Sequence, residues 1–214
     1  MRKRNDIEEE LARKAARNHP LKNLVYFVIA GICMLFLTLM AVLGFNTPPH
    51  FFSTYHFPVP FIASTVIIFT SSFFIERARK GFDEENGKKL LNNLLITLGL
   101  AIAFAITQGM GWVELWNSHI TLYEVPTINK QPGTPNGAYL FIISGLHLLH
   151  LSVGLIFLFL LMFKVVNVRS DDVRCVIYFS NLLERARIEM LAKYWHFLGG
   201  LWFLLFIYFL WFFV

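Results

Sequence analysis

Residues 137–164, GAYLFIISGLHLLHLSVGLIFLFLLMFK, carry a single charge, Lys164 at the last position. A helix rises about 1.5 Å per residue, so roughly 20 apolar residues cross a hydrocarbon core about 30 Å thick, and this run is long enough. His147 and His150 sit in its middle, three apart and so on one face, while Ser144, Gly145 and Gly154 leave nearby faces with little bulk. Polar side chains at membrane depth face protein or water rather than lipid. This helix belongs inside an assembly.

Four further apolar runs cover about residues 24–45, 57–75, 90–116 and 194–214. With 56% hydrophobic residues and 23 Phe in 214, the chain holds more apolar surface than one soluble core can hide. The expected fold is all-α: an integral membrane five-helix bundle over residues 24–214, preceded by a charged arm, 1–23. No cleavable signal is expected, because the first twenty residues are dense in charge and lack an apolar segment with a small-residue cleavage site. Within the arm, Asn5 and Glu8 fit a capping pair, Glu9/Arg13 and Glu10/Lys14 fit i,i+4 ion pairs, and Pro20 ends the helix. A solvated surface helix accounts for that pattern.

The basic residues predict the orientation. Seven precede the first run, five (Arg77, Arg79, Lys80, Lys88, Lys89) lie between the second and third, and six (Lys164, Arg169, Arg174, Arg185, Arg187, Lys193) between the fourth and fifth. Lys130 alone falls on the other side. The positive-inside bias places the N-terminus in the cytoplasm and the C-terminus in the periplasm. The formal charge of +5 therefore reports topology, and no nucleic-acid partner is read from it.

Chemistry-bearing residues are sparse. Cys33 and Cys175 form no CxxC, CxxCH or Cys/His cluster, which removes disulfide, zinc and covalent haem readings. His147 and His150 are too close along one helix to serve two stacked haems, and His196 stands near the start of the last run. Imidazoles bonded to neighbouring helices or lipid headgroups are the plainer reading, and metal ligation is the other. Glu114 is the carboxylate placed within a span, whereas Glu76 and Glu189 sit at span boundaries. Gln108, Ser64, Thr65, Ser71 and Ser72 are suited to inter-helix hydrogen bonds and close packing. Trp112 and Trp116 suit an interfacial belt. No phosphate-binding loop, dinucleotide glycine pattern or set of nucleophile, base and orienter occurs.

Taken together, four segments resemble subunit III of the haem–copper oxidases, the cytochrome c and quinol oxidase family. PVPFIASTVIIFTSSFFIERARKG is similar through Pro58, Ser64, Thr65, Ser71 and Ser72; LGLAIAFAITQGMGWVELW through Gln108, Trp112 and Glu114. ISGLHLLHLSVG resembles the family through Gly145, His147, His150 and Gly154, and EMLAKYWHFLGGLW through Glu189, Tyr194, Trp195, His196, Phe197 and Trp202. The four matches run in the family's order.

The resemblance implies a non-catalytic subunit that carries no cofactor of its own. Haem and copper are expected in partner subunits, which would be the catalytic subunit I, subunit II and other oxidase chains. A larger respiratory supercomplex is the outermost partner it allows. It implies a bacterial inner membrane location, stabilisation of the catalytic subunit, and bound phospholipid. Arg77, Glu189, Tyr194, Trp195 and His196 become candidates for a lipid headgroup site. Ser64, Thr65, Gln108, Glu114, His147 and His150 become candidates for inter-helix polar contacts.

The departures are specific. The full-length family has seven spans and this chain five, as in the shorter bacterial form. No acid stands near Ala30 and Gly31, Gly111 occupies a glutamate position, Gly199 replaces an aspartate, and Leu148 replaces a glycine. Missing buried carboxylates argue against proton relay through this chain itself. The rival reading is a self-sufficient b-type cytochrome or quinol-oxidising subunit using His147, His150 and His196. A small transporter is a third, weakened by the missing buried charges and the absence of an internal repeat.

Overall fold

The computed structural model describes residues 20–118, 120, 136–168 and 171–214. The expected arm helix and Lys130 lie outside the described residues. Among the described residues six helices follow in order: α1 (Pro20–Asn46), α2 (Val59–Asp83), α3 (Gly87–Asn117), α4 (Asn136–Val168), α5 (Asp172–Ser180) and α6 (Leu182–Phe213). Among the described residues there is no strand. Five of the helices are long and apolar enough to cross a bilayer, and α5 is not.

Helix is what these residues must form, because a hydrocarbon core offers no water to an unpaired N–H or C=O. The ends are set by local chemistry. Pro58 and Pro60 begin α2 where missing N–H groups cost nothing. Asn86 caps α3 by accepting from the Lys89 N–H at 2.9 Å, Asp171 caps α5 from Val173 at 3.0 Å, and Asn181 caps α6 from Leu183 at 2.9 Å.

The helices outrun the apolar stretches. α2 continues eight residues past Ile75 through Glu76–Asp83, and α6 starts at Leu182, twelve residues before the apolar run that announces it. Thirty-two residues extend about 48 Å at 1.5 Å each, so α6 projects well beyond a hydrocarbon core. Hydropathy marks only the buried-in-lipid part of a helix, whereas the backbone ladder continues through Leu, Ala, Arg and Glu, all good helix formers. α5 was not foreseen. Its Tyr178 and Phe179 rings pack on Phe82 at the end of α2, with centroids 5.5 and 5.2 Å away.

Two pairings organise the bundle. α2 and α3 form a hairpin whose turn holds Glu85 in the left-handed region at φ 54°, and Gly81 lets the α3 backbone approach: a Cβ there would lie 2.9 Å from the Leu90 nitrogen. α6 packs along α2, α4 lies against both α3 and α6, and α1 contacts α4 and α6. Within its apolar window α1 is the least buried of the five and α6 the most. Across the end opposite the basic clusters, the Phe52 N–H bonds the Phe212 carbonyl at 2.9 Å and Phe52 stacks on Phe213.

Candidate functional site

The polar groups of the spans are used chiefly to tie one helix to another. Ser64, Thr65 and Ser71 first turn their hydroxyl hydrogens onto their own helix, bonding the carbonyls of Phe61 (2.9 and 2.8 Å) and Ile68 (2.8 Å). Their oxygens are then free to accept, and three long side chains use them. Gln108 on α3 donates to Ser64 at 2.8 Å; Trp202 and Trp195 on α6 donate to Thr65 at 3.1 Å and Ser71 at 3.0 Å. α2 is thus an acceptor face for both neighbours. A small hydroxyl lets the helices close, and an indole or amide N–H supplies the only partner such an oxygen can find in an apolar interior.

A second row joins α3 and α6 to α4. Trp112 donates to Ser144 at 2.9 Å, with Ser144 itself anchored on the Leu140 carbonyl. Trp112 therefore turns into the bundle instead of standing in an interfacial belt, while Trp116 stays exposed. The Tyr194 hydroxyl donates to the backbone carbonyl of His150 at 2.9 Å, and Tyr208 reaches the Met40 carbonyl on α1 at 2.5 Å. Gly154 makes room on α4, since a Cβ there would lie 3.2 Å from the Tyr194 ring and 3.4 Å from Trp195.

The three histidines do not converge. His147 is fully enclosed, with Trp202, Phe104 and Phe36 ring centroids 5.3, 5.9 and 6.4 Å from its own, and neither ring nitrogen has a partner. His150 turns Nδ1 to the Leu146 carbonyl of its own helix at 2.7 Å. His196 is half-exposed at the basic end, 3.7 Å from Glu76. Three aromatic walls at van der Waals range leave no slot for a porphyrin edge at His147. Among the described residues no three His, Cys, Asp or Glu side chains gather into a metal-binding group.

The five residues expected around a headgroup divide into two layers. Arg77 is exposed and stretches over the Phe73 ring at 5.5 Å; His196 and Glu189 stand at the same end. Trp195 is fully buried and committed to Ser71, so it supports this corner from within. Tyr194 borders an apolar groove of about 180 Å³ shared with Val25, Val28, Val153, Gly154, Phe157 and Met190. Glu114, at the opposite end, borders a shallow open groove with Pro60, Met110 and Val113, and its backbone carbonyl accepts from the Ser118 hydroxyl at 2.9 Å.

Below that corner lies a charge network that single-residue reasoning missed. Glu76 pairs with Arg79, Arg79 reaches Asp83 at 3.2 Å, and Arg185 of α6 bridges to Asp83 at 3.2 Å and to Glu189 at 3.5 Å. Glu184, 4% exposed, takes Lys164 of α4 at 2.7 Å and Arg187 at 2.6 Å, both on Oε1. Burial and the nearby Glu184 carboxylate push the Tyr178 phenol upward from its usual range. Glu76–Arg79, Arg79–Asp83, Arg185–Glu189 and Glu184–Arg187 are pairs three or four apart that the sequence carries, whereas Lys164–Glu184 and Arg185–Asp83 join residues distant in the chain.

A family model described as "Cytochrome c oxidase subunit III" matches residues 24–214. The chain is similar to the "Cytochrome c oxidase subunit 3" of Cyanidium caldarium, 28% identical over 171 residues, covering 78% of this chain and 54% of that protein. It is similar to the protein of the same name from Rhipicephalus sanguineus, 28% identical over 157 residues, covering 72% and 51%. For that of Patiria pectinifera the figures are 25% over 199 residues, 88% and 68%. The chain spans about half the length of the first two.

Proposed function

This chain belongs to the cytochrome c oxidase subunit III family, and on that premise we propose that it is a non-catalytic subunit of a bacterial respiratory haem–copper terminal oxidase. It stabilises the catalytic subunit and holds phospholipid while oxygen is reduced and protons are translocated elsewhere in the complex. Its N-terminus faces the cytoplasm, the C-terminus faces the periplasm, and it works beside subunits I and II in the inner membrane. The observation that carries this reading is the assignment of the intramembrane side chains. Ser64, Thr65, Ser71, Gln108, Ser144, Trp112, Trp195 and Trp202 are consumed in helix-to-helix bonds, which is the inventory of a scaffold.

Haem and copper are placed on partner chains. The donor set here does not suit them: His147 is walled by aromatic rings, His150 is bonded to its own helix, and His196 faces Glu76. The lipid site is assigned to the basic corner. Arg77 and His196 meet the anionic headgroup, Glu189 holds Arg185 beside them, and the groove at Tyr194 takes an acyl chain.

Gentle-detergent purification of the tagged chain from its own membranes tests the reading. Catalytic oxidase subunits should copurify, and the reduced-minus-oxidised haem band should leave with them when the chains are separated. A chain that stays red alone would overturn the assignment in favour of the b-type cytochrome. In the intact complex, His196→Ala should lower the bound phospholipid counted by mass spectrometry while oxygen reduction persists; loss of haem in that variant would refute the lipid role.

A further inference from the structure

Two polar groups at the centre of the bundle are buried with no partner: both ring nitrogens of His147 on α4 and Oε1 of Gln108 on α3. The Ser64 hydroxyl gives its hydrogen to the Phe61 carbonyl and accepts from Gln108 Nε2, which leaves the amide Oε1 without a partner. His150 finds a carbonyl on its own helix, but His147 has none.

The helix register brings the two orphans to one depth. α3 and α4 face each other in antiparallel sense and are pinned by the Trp112–Ser144 bond. Gln108 lies one turn from Trp112 and His147 three residues from Ser144, each toward the basic end, so at 1.5 Å per residue they stand about 6 and 4.5 Å along their helices from the two bonded residues. Phe104, one turn from Gln108, and Trp202, whose indole is bonded to Thr65 beside Ser64, both pack on His147. A neutral imidazole brings one N–H donor and Gln108 brings an acceptor.

We propose that His147 and Gln108 enclose a binding site for a single water molecule, which accepts from the imidazole N–H and donates to Gln108 Oε1. The site completes a chain from Ser64 through Gln108 and the water to His147, joining α2, α3 and α4 at mid-membrane. A buried polar atom without a partner is costly, and internal waters are found where two or more such groups converge. The site does not depend on the oxidase assignment.

Two measurements test it. In a map of the unaltered protein that resolves ordered solvent, a peak should stand within about 3.2 Å of both Gln108 Oε1 and an His147 nitrogen. In solid-state NMR of the full chain in bilayers, with 15N-labelled histidine assigned by His147→Phe, the His147 N–H should show magnetisation transfer from bound water, and Gln108→Met should abolish it. A direct His147–Gln108 hydrogen bond without a solvent peak would overturn the proposal. So would an His147 N–H in the unaltered protein that exchanges no magnetisation with water.

Discussion

Replacing Gly111 by alanine is the sharpest single test of how this bundle closes. Gly111 is on the face of α3 that meets α2, and a Cβ built there would overlap the Phe61 ring, with Cδ1 at 2.6 Å and Cζ at 2.9 Å where ordinary contact starts near 3.4 Å. Phe61 must retreat by about an ångström, yet it is 3% exposed and edge-packed on Trp202 at 5.8 Å and Phe57 at 5.9 Å. Movement of Phe61 also disturbs the backbone that accepts from Ser64 and Thr65. Overpacking of this kind costs about 1–3 kcal/mol, a roughly 5- to 150-fold shift in the folding equilibrium. Reversible unfolding in mixed micelles, read by tryptophan fluorescence, measures it. Phe61→Leu in the Gly111→Ala background should recover at least half of the loss, because the clash is with the ring. A Gly111→Ala protein as stable as the parent, or a loss that Phe61→Leu leaves untouched, would refute the close α2–α3 packing.

Other outcomes follow from the same contacts. Ser71→Ala should cost about 1–3 kcal/mol, because it strands the buried Trp195 N–H, and Trp195→Phe, which also leaves a cavity, should cost less in the Ser71→Ala background than alone; strictly additive losses in the micelle assay would refute the bond. Asp83→Asn should change stability by less than about 1 kcal/mol, since the Arg185 and Arg79 pairs are partly exposed and screened by salt. The Tyr178 phenol has its folded pKa raised above the unfolded value near 10, so the stability it contributes is present below that pH and lost as pH rises beyond it. The alkaline absorbance titration should therefore lose no phenolate step near pH 10 in Tyr178→Phe, whereas the unfolded protein should lose one.

Much of this protein was legible in its sequence. A run such as 137–164 can only be a helix in lipid, and five such runs dictate an all-helical bundle, because backbone hydrogen bonds there must be satisfied within each segment. The four motif segments led to the family on the same footing, since each is contiguous. Roles inside the bundle were legible only in part. Ser64, Thr65 and Gln108 were recognisable as helix-contact residues, but that Gln108 meets Ser64 while Thr65 meets Trp202 depends on rotation and register. Tyr194 and Trp195 look equivalent as neighbours in a motif. A 100° step around α6 sends one indole to Ser71 and one phenol to the His150 carbonyl. The extension of α6 to Leu182 and the packing of α5 on Phe82 were decided by tertiary contacts among residues whose hydropathy is ordinary. Local chemistry determines where a chain crosses the membrane. Which side chain meets which is decided only when helices distant in sequence settle into one register.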